Sequence, residues 1–178
     1  MLCRLADKIT TDHIMPAGAF LKYRSNIPVY SKYVFNCLNE TGKPTFAEKA
    51  AVVRDDGKHG VIVAGESYGQ GSSREHAAIC PMYLGVKAVI AVSIERIHAA
   101  NLVNFGIVPL LFANSADYDR LAKGDSLKIC DIRRQLEVGK PVKAELVKAN
   151  GKKSELELMH NLSAEDISII LPGGCLNC

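Results

Sequence analysis

No apolar run among these 178 residues is long enough to cross a bilayer, and the first residues lack the charged-then-apolar pattern of a secretory signal. These absences argue against a membrane-spanning helix and against export, so the expectation is a soluble, cytoplasmic chain with no membrane partner. An excess of charge of one sign is missing as well. The 22 Lys and Arg nearly balance 19 Asp and Glu, leaving +3, and no basic run is longer than Arg133-Arg134 or Lys152-Lys153. That argues against a dedicated nucleic-acid surface. The 6 cysteines (Cys3, Cys37, Cys80, Cys130, Cys175, Cys178) follow no framework of spacings. A disulfide scaffold is therefore not expected, and a reducing compartment suits them better, most as small buried hydrophobes. Cys175-Leu-Asn-Cys178 has the spacing of half a zinc or cluster site, but no Cys or His pair at a matching distance completes it. The length permits one domain with a real core.

The most informative stretch that is present runs Gly65-Glu-Ser-Tyr-Gly-Gln-Gly-Ser-Ser-Arg-Glu-His76. A β-rich run ends there in glycines and two hydroxyls just where a helix begins, which is how a backbone builds an anion site. Gly65, Gly69 and Gly71 permit positive-φ turns and close approach, and the unpaired N–H groups of a helix start point at the ligand with the positive end of the dipole. Ser72, Ser73 and Arg74 would face that anion together. The same residues also suit an ordinary helix start, with Ser73 capping a helix that begins at Arg74.

Around this stretch, residues 23–48 carry Pro28, Gly42 and Pro44 with little periodicity, so they read as loop with a short helix near 31–38. Residues 60–66 and 87–93 are β-rich and flank a helical segment, 74–84, that Pro81 should disturb. Residues 94–105 form a second helix with Gly106 as C-cap, followed by a strand at 107–112. Two β-α-β units result. Beyond them the pattern predicts a helix at 115–122 stopped by Gly124, a strand at 126–131, and a hairpin of 142–148 and 154–158 turned near Asn150-Gly151. A last helix, 163–170, is capped by Ser163 and broken by Pro172-Gly173-Gly174. Alternating elements with an antiparallel ending predict an α/β domain with a mixed, largely parallel sheet. Within a single domain of 1–178, residues 1–50 form a substrate-loop segment, 60–131 the β-α-β core, and 140–178 the hairpin and C-terminal helix. Ligands of parallel sheets lie beyond the carboxyl ends of the strands, where the loop 66–73 would sit.

Two motifs carry a family resemblance. Tyr68-Gly-Gln-Gly-Ser-Ser-Arg-Glu-His-Ala-Ala78, followed by Arg96-Ile-His98, Asn101-Leu102 and residues 106–112, closely resembles the C-terminal swivelling domain of the aconitase family. Asp7-Lys-Ile-Thr-Thr-Asp-His-Ile14, Ala17-Gly18 and Leu21-Lys-Tyr-Arg24 resemble the family's other active-site segment from that domain. Two long motifs in the right order and spacing are far more specific than a lone glycine pattern. The resemblance implies a β/β/α swivelling domain and a hydro-lyase that isomerises citrate and isocitrate through cis-aconitate. Such enzymes remove a proton beside a carboxylate while an iron of a [4Fe-4S] cluster takes the hydroxyl.

The resemblance also implies roles. Ser72 is the base, Ser73 and Arg74 are substrate ligands, and Arg24 grips another carboxylate. Asp12 pairs with a catalytic histidine supplied from elsewhere, with Thr11 beside it among the substrate-binding residues. A serine hydroxyl is a very weak acid, so the base needs N–H groups and a guanidinium to stabilise its anion. Arginine also suits a carboxylate better than lysine, because its planar fork pairs both oxygens. Apart from the resemblance, Arg24 reads as a surface arginine in a loop, Asp12 as an N-cap or Asx-turn, and His13 as a hydrogen-bonded structural residue. His76 and His98 read as structural too.

Two departures stand out. Met15 occupies the position after His-Ile where aconitases often have serine, which implies the loss of a polar substrate contact, and the tail after Leu171 leaves the pattern. Three cluster cysteines at family spacing and the accompanying catalytic His, Asp and Glu residues are also missing, so the chain alone is expected to be inactive. The cluster would be held by a cluster-bearing large subunit or the remaining aconitase domains. The resemblance implies that the domain swings during turnover, and the Pro- and Gly-containing segment 26–44 is one candidate place for flexibility. Arg24 favours a tricarboxylate over the more apolar substrates of isopropylmalate isomerases. The alternatives are a small subunit of homoaconitase or 3-isopropylmalate isomerase, and an RNA-binding relative of aconitase, which the small net charge disfavours.

Overall fold

The computed structural model describes residues 1–122 and 124–175. An edge strand, β1 (Cys3–Arg4), leads into α1 (Thr11–Ile14), α2 (Ile27–Tyr30) and α3 (Phe46–Asp55). The two β-α-β units follow as β2 (Gly60–Ala64), α4 (His76–Tyr83), β3 (Val86–Ala91), α5 (Arg96–Asn104) and β4 (Val108–Phe112). The chain continues through α6 (Asp117–Arg120), β5 (Ser126–Lys128), α7 (Ile132–Gln135), β6 (Val142–Val147), β7 (Lys153–Met159) and α8 (Ala164–Ile170). One sheet of 7 strands runs in the order β1-β2-β3-β4-β7-β6-β5. The first four are parallel and the last three join antiparallel, so the α/β class with a mixed sheet is what the chain forms.

Parallel strands covered on both faces favour apolar residues on both sides, which is why β2 reads as a continuous apolar run and β3 as one interrupted only by the exposed Lys87. Ile62, Ala64, Val89 and Ala91 face one core with Ala77, Ala78 and Cys80 of α4, Tyr30 of α2 and Ala50 of α3. Val63, Ala88 and Ile90 face the other, with Val103 of α5, Ile170 of α8 and Leu146, Leu156 and Leu158 of the hairpin.

Residues 23–48 differ from the expected loop. They hold α2, 3-10 turns at Ser31–Tyr33 and Asn36–Leu38, and the start of α3. Tyr30, Val34 and Phe35 are all buried in the first core. The single short helix expected near 31–38 is thus two turns, separated where Phe35 takes a left-handed φ of +53°. α3 begins with a capping box. Thr45 Oγ1 accepts from the Glu48 N–H at 3.2 Å, and Glu48 Oε2 accepts from the Thr45 N–H at 2.7 Å. These bonds favour the charged carboxylate and hold Glu48 below its usual range.

Pro81 does not break α4, and the strand expected at 126–131 stops at Lys128, before the short helix α7. The tail after Leu171 folds back on the end of α5. Gly173 packs on Gly106, and Cys175 Sγ lies 3.4 Å from Asn104 Oδ1. Cys178, the second thiol of the spaced pair, lies outside the described residues.

Candidate active site

The loop after β2 is held from both sides as it leaves the sheet. On one side, Lys8 N donates to Glu66 O at 2.7 Å, Gly69 N to Ile9 O at 2.8 Å and Thr11 N to Gln70 O at 2.9 Å. On the other, Ser67 N donates to Ser93 Oγ at 2.8 Å, Tyr68 N to Ser93 O at 3.0 Å, and Glu95 N to Tyr68 O at 2.9 Å. Single bridges at Thr10–Gln70 and Tyr68–Ile94 carry the parallel pairing past the ends of the strands. The glycines here have distinct physical tasks. Gly65 lets the Asp7 carboxylate approach to accept from the Glu66 N–H at 2.8 Å, because a Cβ would collide with it. Gly69 has φ +84°, and a Cβ there would strike the ring of His98.

On this platform Ser72 and Ser73 stand exposed beside Arg74. Thr11, itself 2% exposed, donates its hydroxyl to the Ser72 carbonyl at 3.0 Å and so fixes the backbone of that serine. Asp12 pairs with the Arg74 guanidinium, their side chains 60% and 27% exposed. Thr11, Gly69, Gly71 and Ser72 to Arg74 form one wall of a cleft of about 210 Å³. The start of α5, with Glu95, Arg96, His98 and Asn101, forms the opposite wall.

Of the residues expected at the site, Thr11, Asp12, Ser72, Ser73 and Arg74 therefore meet. Arg24 enters through its backbone: its carbonyl lies 2.9 Å from His76 Nε2, its side chain is exposed, and it does not line the cleft. Glu95, Arg96 and Asn101 were not candidates from the sequence. Glu95 and Arg96 open the helix after β3 as Ser72 to Glu75 precede the helix after β2, Asn101 lies in the second turn of that helix, and Arg96 and Asn101 belong to the motif that carries the family resemblance.

Three expectations need correction. α4 begins at His76 with Glu75 in the cap position and no side-chain cap, so Ser73 does not cap it. Among the described residues, the N–H groups of Ser72 through His76 instead donate to no protein acceptor. Asp12 is not an N-cap: Thr10 is, accepting from the His13 N–H while His13 Nδ1 accepts from the Thr10 N–H, both at 3.1 Å. Met15 faces away from the cleft. The chain turns extended at this residue and places the side chain in the core, 1% exposed, so an apolar residue there changes packing rather than a substrate contact.

The cleft carries charges of both signs, with Glu95 in its wall and Asp12 paired to Arg74. Arg74 and Arg96 line it, and the positive ends of α4 and α5 open toward it. His98 adds no charge near neutral pH. It is 2% exposed, and desolvation pushes its pKa down to about 4. Burial likewise raises the Tyr68 phenol well above its ordinary value. Among the described residues, no three His, Cys, Asp or Glu side chains converge to hold a metal ion.

Together these features define a mixed α/β domain whose candidate site, a hydroxyl- and arginine-bearing loop, lies at the carboxyl ends of the parallel strands. The particular family follows from comparison. The Aconitase C-terminal domain family matches residues 18–115, and the chain belongs to that family. Similarity to individual proteins extends further along the chain. It is 36% identical to a mitochondrial aconitate hydratase of Saccharomyces cerevisiae, over 99% of this chain and 24% of that protein. It is 31% identical to the mitochondrial homocitrate dehydratase of the same yeast, over 99% of this chain and 25% of that protein. The chain thus spans about a quarter of the length of these relatives. A crystal structure of 3-isopropylmalate dehydratase from Methanocaldococcus jannaschii matches it with a TM-score of 0.69 at 29% identity, covering 98% of this chain and 87% of that one.

Proposed function

We propose that this chain is the swivelling domain, or the separate small subunit, of an aconitase-like hydro-lyase. It supplies the base and carboxylate ligands for isomerising citrate and isocitrate through cis-aconitate. One observation carries the reading. Two segments 61 residues apart meet at the cleft, where Thr11 fixes the backbone of Ser72 and the neighbouring Asp12 engages Arg74.

Ser72 Oγ takes the proton from the carbon next to a substrate carboxylate, and the electrons of that C–H bond form the alkene. The hydroxyl leaves the neighbouring carbon with the C–O bonding pair, a departure that a Lewis-acidic cluster in the remaining part of the enzyme would assist. The anionic form of this serine is stabilised by the unpaired N–H groups at residues 72–76, the positive end of α4 and the Arg74 guanidinium. Ser73 and Arg74 hold one carboxylate, and Arg24 grips a second. Asp12 orients a histidine supplied from elsewhere. Its exposed carboxylate stays within reach of such a group even while it pairs with Arg74.

The described residues do not fit a [4Fe-4S] cluster, which in the proposed enzyme belongs to a large subunit or to the remaining domains. The test is Ser72→Ala in the assembled enzyme. We expect kcat to fall by about 10³-fold with little change in KM, the scale of a lost general base. A loss of less than about tenfold would remove the serine-base assignment.

A second reading, a homoaconitase or 3-isopropylmalate isomerase small subunit, is favoured by the similarity to the yeast homocitrate dehydratase and to the isopropylmalate dehydratase structure. Turnover of isocitrate, homoisocitrate and isopropylmalate side by side separates the readings. Arg24 favours the tricarboxylates, because the isopropylmalate substrates place a more apolar group in the region it serves.

A further inference from the structure

The two arginines of the proposed site lie on different segments, and one side chain joins those segments. His76 opens α4 two positions after Arg74, and its Nε2 lies 2.9 Å from the Arg24 carbonyl. A carbonyl can only accept, so the Nε2–H donates. The imidazole is held in turn by Tyr30, whose ring meets it edge-on at 61° with centroids 5.3 Å apart. Tyr30 is 2% exposed and is anchored by its own hydroxyl, which donates to the Pro16 carbonyl at 2.9 Å. Arg24 has few other ties. Among the described residues, its only other hydrogen bond runs from its N–H to the Leu21 carbonyl at 3.1 Å, inside its own turn.

We infer that His76 is a positioning residue: through the Arg24 carbonyl it sets where Arg24 stands relative to Arg74, and thereby the affinity for a polycarboxylate, without touching substrate. This rests on the roles proposed above for the two arginines. A ligand gripped at two carboxylates needs two guanidinium groups at a fixed separation, and displacements near 1 Å are enough to weaken such a clamp. Losing the clamp costs ground state and transition state alike, so the effect belongs in KM rather than kcat.

The test uses the assembled enzyme. His76→Phe keeps the ring contact with Tyr30 and removes the donor, whereas His76→Gln keeps a donor. His76→Phe should raise KM for the tricarboxylate by about tenfold with kcat within about threefold, and His76→Gln should recover most of the loss. In an Arg24→Gln background, His76→Phe should add little, because the two changes act through one group. His76→Leu serves where the phenylalanine variant does not assemble.

The outcomes separate the two readings. An unchanged KM for His76→Phe with a raised KM for Arg24→Gln overturns the inference and spares the Arg24 assignment. An unchanged KM for Arg24→Gln overturns both. Equal behaviour of the Phe and Gln variants overturns the hydrogen bond as the cause.

Discussion

His98 sits beneath the loop that carries Ser72, edge-on to Tyr68 with ring centroids 5.2 Å apart and against Gly69. Its burial has a consequence that can be measured. The folded-state pKa falls from 6.5 to about 4 because desolvation penalises the imidazolium. Above pH 6.5 the ring is neutral both folded and unfolded and contributes nothing. Between 6.5 and 4 the unfolded chain binds a proton that the folded one refuses, so stability declines as pH falls through that window. By pH 5 the difference is about 2 kcal/mol, and it levels off near 3 kcal/mol below pH 4. Urea unfolding of the wild type and of His98→Gln between pH 7 and 5 should show the wild type losing about 2 kcal/mol more than the variant. Parallel curves would mean that the ring takes up its proton without penalty. A neutral His98 also leaves Arg74 and Arg96 as the cations lining the cleft.

At the scale of elements, the loop 65–73 is shaped by contacts that come from elsewhere in the chain. Gly69→Ala tests this, because the new Cβ meets both a positive φ and the His98 ring. Gly57→Ala is the control, with φ +69° and open space around it. We expect about 1 kcal/mol of destabilisation at Gly57 and about 3 kcal/mol at Gly69, read by denaturant unfolding. Equal losses would show that the His98 contact yields freely.

The same distinction explains what was legible in the sequence. β2, β3, α5 and α8 carry their own patterns and caps, and they appear where expected within a few residues. α1 and α2 are single turns of 4 residues with no room for periodicity, and burial of Ile14 and Tyr30 holds them in place. α3 is announced in the sequence by the capping box Thr45-Phe-Ala-Glu48, but Pro28, Gly42 and Pro44 just before it give that segment the composition of a loop. The site residues were legible as motifs. Their pairing was not, since the meeting of Asp12 with Arg74 and of His76 with Arg24 depends on how distant segments cross.

At the scale of the whole molecule, the chain corresponds to about a quarter of its longer relatives, and its cleft opens to solvent. Under the proposed function, this part of the site works only when closed against the rest. In the chain by itself Arg74 is already paired with Asp12. Exchanging that exposed partner for a ligand carboxylate yields little, since contacts of this kind are worth roughly 0–1 kcal/mol each. Three or four of them amount to about 4 kcal/mol at most, a Kd near 1 mM or weaker. Closure expels water and strengthens the same contacts. Calorimetric titration with citrate should therefore give millimolar affinity for the isolated chain, weakened further by added salt, and no turnover. The assembled protein should bind on the order of 10²-fold more tightly and gain activity. If the isolated chain bound as tightly as the assembly, its carboxylate site would be complete without closure, and the swivelling-domain reading would fail at the step that gives the swing its purpose.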